Sequence, residues 1–469
     1  MSGELRLYNT MTRSKQAFAP LAPPTVRIYS CGPTVYSRQH LGNLRTYIFP
    51  DLLNRTLRFL GYDVRHVINV TDVGHLQSDA DTGEDKMEKA ARESQRSARE
   101  VADHWLRVFR EDLAKLHFRE PDVWCKATEH IPEQIEMIQT LEQKGLTYRT
   151  SDGLYFDTSK DPHYGELART NVSALEASAR IEHASEKRNV SDFALWKLSP
   201  AEGPRRQMEW ESPWGRGFPG WHIECSAMST KYLGRTFDIH TGGADHIPVH
   251  HPNEIAQSEN ALDVRPWVRF WMHTGWLMFD GEKISKSTGG SVLNLDELVA
   301  RGFEPLVFRY FALGGHYRQQ LTFSDDAMRG AQQSWRRLVR HAAELRELDS
   351  SAGAALADEL RGKFRAALAD DLNAPRALAV AWEAARSDAL GAREKYALLC
   401  EWDQVLALGL REARVEAAES DAEIDGMVRE RDQARAGRNF KRADELRAKL
   451  SQMGIALEDS PQGTRWHRG

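Results

Sequence analysis

The sequence predicts an α/β protein: a parallel-sheet domain interrupted by an insertion, then a helical bundle, then a small mixed C-terminal domain. Three observations predict it. Near the N-terminus a strand pattern breaks at a turn, gives way to a helix-period segment and returns as a strand. Similar patterns resume after about residue 213. From Ser334 the chain reads as nearly continuous helix, rich in Ala, Leu, Arg and Glu.

The elements follow in order. Thr25 to Ser30 alternates apolar and polar, then breaks at Cys31-Gly32-Pro33, as a strand entering a turn should. His40-Leu41-Gly42 leads into "NLRTYIFPDLLNRTLRFLGY", apolar at helical spacing until Gly61. "DVRHVINV" is a second strand. The polar, acidic "TDVGHLQSDADTGED" follows, then a helix with Ala98, Val101, Ala102, Trp105, Phe109 and Leu113 on one stripe. Strand, turn, helix, strand opens a parallel unit whose ligands belong beyond the strand C-termini. Residues from about 120 to 212 are irregular, with short strand signals such as "GLYFDT", and read as an insertion between two halves of the sheet. The α/β pattern returns with "GWHIECSAMS", "TFDIHTGGAD" and "RFWMHTGWLMF", so that two cysteines, Cys31 and Cys225, are expected to end different strands. "FKRADELRAKLSQMGIALEDSPQGTRWHRG" runs from helix to a hairpin turning at Ser460-Pro461.

A chain of 469 residues exceeds one ordinary core, so two to four domains are expected. The net charge of −5 is mild, and a nucleic-acid partner would have to be held by local basic surface. Four cysteines in this length exclude a disulfide framework. No basic-then-apolar leader opens the chain and no apolar run reaches membrane-spanning length, so a cytoplasmic protein without membrane attachment is expected.

Three stretches can carry chemistry. Cys31 and His40-Leu41-Gly42-Asn43 sit at a strand-to-helix junction, where a glycine admits a phosphate and the helix N-terminus favours an anion. Taken alone they also fit an ordinary capped helix, and Cys31 could be a packing thiol, a nucleophile, a redox thiol or a metal ligand. "DGEKISKSTGG" places Lys283 and Lys286 three apart among serines and glycines, a cationic loop suited to a polyphosphate or simply a solvated one. "GWHIECSAMS" and "DIHTGGADHIPVHHPNEIAQSEN" put His250 and Glu254 four apart at a helix start, able to converge with one or two thiolates in a zinc-like set. His240, His246 and His251 compete for the same role.

Together these motifs resemble the cysteinyl-tRNA synthetase family of class I aminoacyl-tRNA synthetases. "CGPTVYSRQHLGN" and "KISKS" resemble its two signatures, and "GWHIECSAM" and "HHPNEIAQSE" its metal-binding segments. "LADDLNAPRAL" resembles a turn of its helical anticodon-binding domain and "GIALEDSPQGTRW" its C-terminal end, so the resemblance covers nearly the whole chain. It implies a Rossmann-like catalytic domain in two halves (residues 1–125 and 213–280) around a connective insertion (126–212). A KISKS loop and stem-contact region (281–333), a helical anticodon-binding domain (334–412) and a small C-terminal tRNA-binding domain (413–469) would follow. It implies Cys31, Cys225, His250 and Glu254 as zinc ligands, and His40, Asn43, Lys283 and Lys286 as catalytic residues. His40, Gly42, Asn43, Asp245 and Lys286 would bind ATP with its Mg2+, Asp245 facing the ribose, and Thr34 and Trp221 would border the amino-acid pocket. The implied reaction joins L-cysteine to ATP as an adenylate and passes it to tRNA(Cys), in a monomeric enzyme of protein synthesis. Neither step needs an enzyme nucleophile.

Choosing cysteine over serine is the harder task. Apolar contacts separate near-isosteres by only about 10- to 200-fold, whereas zinc binds a soft thiolate far better than a hydroxyl. On this expectation Cys31 is a ligand, Cys125 and Cys400 are packing thiols, and Trp466 either stacks on an anticodon base or closes the terminal domain. Three departures accompany the resemblance. Asn43 stands where the family often has His; "HTGGADHIPVHHPNE" replaces "HGGGxDLxFPHHENE", adding His246 and Pro252; and "TDVGHLQSDADTGEDKME" is longer than "TDVDDKI". The rival readings are a ligase joining cysteine to glucosaminyl-inositol, against which residues 334–469 speak, and a non-catalytic tRNA-binding paralogue, against which the intact His40, Lys283, Lys286 and ligand candidates speak.

Overall fold

Five parallel strands form the sheet that the opening pattern predicts: β1 (Thr25–Ser30), β2 (Asp63–Val70), β3 (Val123–Lys126), β4 (Phe237–Gly243) and β5 (Val268–Thr274). The structure is a computed structural model, and it describes residues 4–73, 85–169, 186–200, 205–279, 282–283, 293–414, 422–460 and 463–468. The strand order is β5-β4-β1-β2-β3. The chain therefore starts at the sheet centre, builds outward through β2 and β3, and returns to build the other side through β4 and β5. Ile28 of β1 lies in register with Ile239 on one side and His66 on the other. The reversal falls between β1 and β4, and a crevice at their C-terminal ends is where such a sheet binds ligands.

β1 is followed by helix α1 (Leu41–Phe59), capped by His40 and stopped before Gly61, whose φ of +96° suits glycine. The predicted stripe forms α2 (Ala98–Lys115), opened by a reciprocal cap between Ser97 and Glu100. The insertion holds an antiparallel sheet of Thr147–Arg149, Gly153–Phe156, Phe193–Leu198 and Gly217–Pro219, packed on a cluster that includes Phe156, Phe193 and Trp196.

One expectation is corrected here. Cys225 does not end a strand; it lies inside helix α3 (Trp221–Leu233). Every residue from His222 to Ser229 is buried, so the segment has no polar face and its helical period is invisible in the sequence. Helix α4 (His250–Leu262) packs beside α3 and begins at His250 itself.

Beyond the sheet, α5 (Pro305–Leu313) precedes a bundle of α6 (Asp325–Arg346), α7 (Ala354–Ala369), α8 (Ala374–Arg386) and α9 (Ala392–Leu406). Continuous helix thus begins before the expected Ser334. Ser324 accepts the Ala327 N–H at 3.1 Å, and Asp325 and Asp326 favour the positive end of the helix, so a polar stretch without apolar period is still a helix start.

The chain separates into two compact units, Met1–Glu412 and Ala413–Gly469. The second holds helices Ala422–Ala436 and Phe440–Gln452 and a hairpin of Ile455–Ser460 with Gly463–Arg468. The expected turn at Pro461 lies outside the described residues. Trp466 packs on the core of this unit, which includes Leu446, Leu450 and Ile455, and its indole N–H donates to Asp425 at 2.6 Å. Of the two roles expected for Trp466, the side chain serves the closing one.

Candidate active site

A cleft of about 1080 Å³ opens at the C-terminal ends of β1 and β4. Its walls bring together residues far apart in sequence: Cys31, Thr34, His40, Gly42, Asn43, Trp221, Cys225, Asp245, His246 and His250 all line it. The turn after β1 is set by close approach. A Cβ on Gly32 would stand 1.5 Å from the Asn69 carbonyl oxygen, and the Gly32 N–H donates to the Asn69 side chain at 2.7 Å. Only glycine fits there, which presses Cys31 into the sheet mouth, where it is buried.

At the deep end, one donor atom from each of Cys31, Cys225, His250 and Glu254 lies within 4.8 Å of the other three, and all four residues are buried. His250 Nε2 is 3.0 Å from Glu254 Oε1, and Cys31 Sγ is 3.7 Å from the same oxygen. Ligands of a tetrahedral zinc ion are separated by about 3.3–3.8 Å. The donor types, two sulfurs, an imidazole nitrogen and a carboxylate oxygen, also suit that ion. His240 and His251 converge with Cys31 and Glu254 in a second, overlapping set; His246 belongs to neither among the described residues.

The four donors shift one another's protonation in opposite directions. Burial opposes the Glu254 charge, but His240 and His250 outweigh it and hold the carboxyl well below its usual range. Burial would discharge His250, yet Glu254 and Cys225 raise it to about 10. Burial likewise pushes the Cys225 thiol up, and the hydrogen bonds of Cys31 and His250 bring it down to about 6. Cys31 itself is held well above the ordinary thiol value by burial and then by Cys225 and Glu254. Glu254, His250 and Cys225 thus favour their charged forms in one another's company, and Cys31 its neutral one.

Further histidines fix the donors. His240 Nε2 meets Glu254 Oε2 at 2.8 Å, His222 Nδ1 meets His250 Nδ1 at 2.8 Å, and His251 Nδ1 meets His273 Nε2 at 2.8 Å. The Trp221 ring lies 4.3 Å from that of His250. Gly242 makes this crowding possible, since a Cβ there would fall 2.5 Å from His246 Nδ1 and 2.8 Å from His251.

At the other end, His40 Nδ1 accepts the Asn43 N–H at 3.1 Å, so the capped-helix reading of this motif describes its local structure. That cap also fixes the tautomer: a neutral His40 carries its proton on Nε2, as a donor. Lys283 lies in the short strand Glu282–Lys283, and Lys286 lies outside the described residues, as does the extended loop from His75 to Glu84.

With this geometry stand the comparisons. Residues 17–333 match the family model of the class I (C) tRNA synthetase catalytic domain. The cysteine--tRNA ligase 1 of Burkholderia lata is 48% identical over 98% of this chain and 96% of its own length. That of Treponema denticola is 43% identical over 99% of both. The chain belongs to the cysteinyl-tRNA synthetase family. Among solved structures, a Mycobacterium tuberculosis methionyl-tRNA synthetase in complex with methionyl-adenylate aligns with a TM-score of 0.54 at 18% identity, covering 83% of this chain and 91% of that one. A leucyl enzyme of Agrobacterium radiobacter aligns with 0.59 at 12%, covering 84% and 85%. Both carry the class I fold, and this synthetase shares it.

Sequence reasoning missed several residues that the fold brings to the candidate site. His222 stands three positions before Cys225, a spacing that shares a helix face only once α3 is known to be a helix. His273 is the last residue but one of β5, and Thr71 donates to the buried Glu224 at 2.9 Å; neither carries a local motif.

Proposed function

We propose that this synthetase activates L-cysteine with ATP, releasing pyrophosphate, and passes the cysteinyl group from the adenylate to the 3′ end of tRNA(Cys). It would do so as a cytoplasmic monomer, with Cys31, Cys225, His250 and Glu254 holding zinc. The observation that carries the reading is the meeting, in one cleft, of a zinc-compatible donor set with the His40–Asn43 helix start. Of the two overlapping sets, the first is favoured because Cys31, Cys225 and His250 line the cleft while His240 and His251 stand behind it, His240 already engaged with Glu254. Bound there, zinc supplies a soft Lewis acid that prefers the substrate's thiolate to serine's hydroxyl.

The chain's own residues do the rest by position and charge. Trp221 and Thr34 close on the amino acid. His40 Nε2–H and the N-terminus of α1 face charge that builds on the α-phosphate, with Asn43 donating beside them. Asp245 takes the ribose hydroxyls, and Lys283 and Lys286 take the phosphates that leave with Mg2+. The test is zinc content with cysteine-dependent ATP–pyrophosphate exchange in Cys31→Ser and Cys225→Ser. Both should lose the metal and at least 100-fold of the exchange; full zinc and normal exchange in both would overturn the reading. Charging of a tRNA transcript, and none of glucosaminyl-inositol, separates it from the sugar ligase.

A further inference from the structure

Between β1 and α1 the chain runs along the cleft wall as residues 36–40, which end on His40, the cap of α1. Val35, just before this stretch, is fastened to the sheet, its N–H donating to the Thr71 carbonyl at 3.2 Å. Within the stretch, Arg38 joins two helices far apart in sequence. Its Nε and Nη2 donate to Oδ2 and Oδ1 of Asp112 at 3.1 and 2.7 Å, a fork on a buried carboxylate in the last turn of α2. Its Nη1 donates to Asp296, in the short helix Leu295–Ala300. Asp296 is fixed in turn: the Asn294 side chain caps that helix and accepts the Asp296 N–H at 3.0 Å, and Lys115 of α2 stands 3.6 Å from the carboxylate. Leu293, on the same segment, accepts the Leu41 N–H at 2.9 Å, which bonds it to the first turn of α1.

Every guanidinium nitrogen of Arg38 is thus engaged by a protein carboxylate, which makes it a support of the cleft wall and not a phosphate ligand. A fork on a buried carboxylate fixes the plane of the guanidinium, and with it the backbone two residues before His40. We infer that Arg38 is the positioning residue of His40: clasped by Asp112 and Asp296, it holds residues 36–40 so that His40 Nε2–H meets the α-phosphate as the adenylate forms. The inference rests on the proposed adenylate reading and adds to it the residue that sets the geometry of His40. A misplaced group costs rate even where both substrates still bind, by about 100-fold for a 1 Å error.

The experiment measures cysteine-dependent ATP–pyrophosphate exchange on the folded full chain in Arg38→Gln, His40→Asn and the double variant. Asparagine at position 40 keeps a helix cap and removes the imidazole. Arg38→Gln should lower kcat about tenfold, with KM for ATP and for cysteine within about twofold of wild type. In the His40→Asn background the same change should cost nothing further, because a residue that acts through His40 has nothing left to place. Asp112→Asn should reproduce the Arg38→Gln loss, and the two together should be no worse than either. Wild-type kcat in folded Arg38→Gln, with only a lowered unfolding midpoint, would overturn the inference. So would a full tenfold loss added to that of His40→Asn, or a loss confined to KM for ATP. If Arg38→Gln failed to fold, Arg38→Lys, which keeps the charge and loses the fork, would decide by the same criteria. Failure of the proposed function is seen separately, as absent cysteine-dependent exchange in the wild type.

Discussion

Glu254 and Asp51 are both fully buried carboxylates held as anions by cations, yet their surroundings differ in kind. Asp51 of α1 faces Arg309 of α5 at 2.6 Å and Arg55 at 2.9 Å, and accepts the Arg119 N–H at 2.8 Å. Arg309 goes on to donate to the carbonyls of Leu406 and Leu116, tying the ends of α9 and α2 to α1. Glu254 faces His240, His250 and the Cys31 thiol. Arginine keeps its proton in any protein, so the first cluster is a permanent lock. Imidazolium and thiol can give theirs up, so the second can trade protons for a metal. Equal burial and equal charge therefore build a joint in one place and a reactive pocket in the other.

The sharpest way to break the comparison is to remove one anion. Asp51→Ala strands Arg309 without a counter-charge and should cost about 3–5 kcal/mol of stability in urea unfolding, with zinc content of the folded fraction unchanged. Loss of zinc alongside would show the two clusters to be coupled. His240→Gln should do the reverse. Stability should hold, while zinc affinity, read by competition with a chromophoric chelator, falls about 10- to 100-fold as Glu254 loses its orienting partner. Wild-type affinity in that variant would remove His240 from the site.

A pH dependence separates the two clusters without any substitution. His250 is raised to about 10, so on the proposed reading a zinc ion binding at neutral pH would have to displace its proton. Zinc affinity should then rise about tenfold per pH unit between 6 and 8 for that proton. The Asp51 cluster should be silent in this window. Burial pushes the Asp51 carboxyl up, Arg309 and Arg55 more than offset it, and its value lies below that of an unfolded aspartate. Its contribution is thus complete above about pH 4 and is lost only as pH falls below that, through the folded value. Stability that fell between pH 8 and 6 in wild type but not in Asp51→Ala would contradict this.

Much of the fold was legible because its central elements announce themselves locally. β1 and β2 occupy the expected residues, since alternation ending at Cys31-Gly32-Pro33 and at Thr71 admits little else. The four-residue spacing of His250 and Glu254 also survived, because a helix start puts those positions on one face. Cys225 was misread for the opposite reason: a helix buried all round has lost the polar face by which a period is recognised. Trp466 offered two roles, and its indole turns to Asp425 and the small core of its own unit.

What the amino-acid order determined by itself is short-range: where strands stop, where helices are capped, and which donors a turn or a helix face can present together. Packing alone decided that a thiol from α3 meets one from the end of β1, that His240 grips Glu254, and that Asp51 is locked by arginine. Such pairings join segments with no shared local pattern. They exist because burying opposed charges together costs far less than burying either alone, and that choice is made only when the layers close.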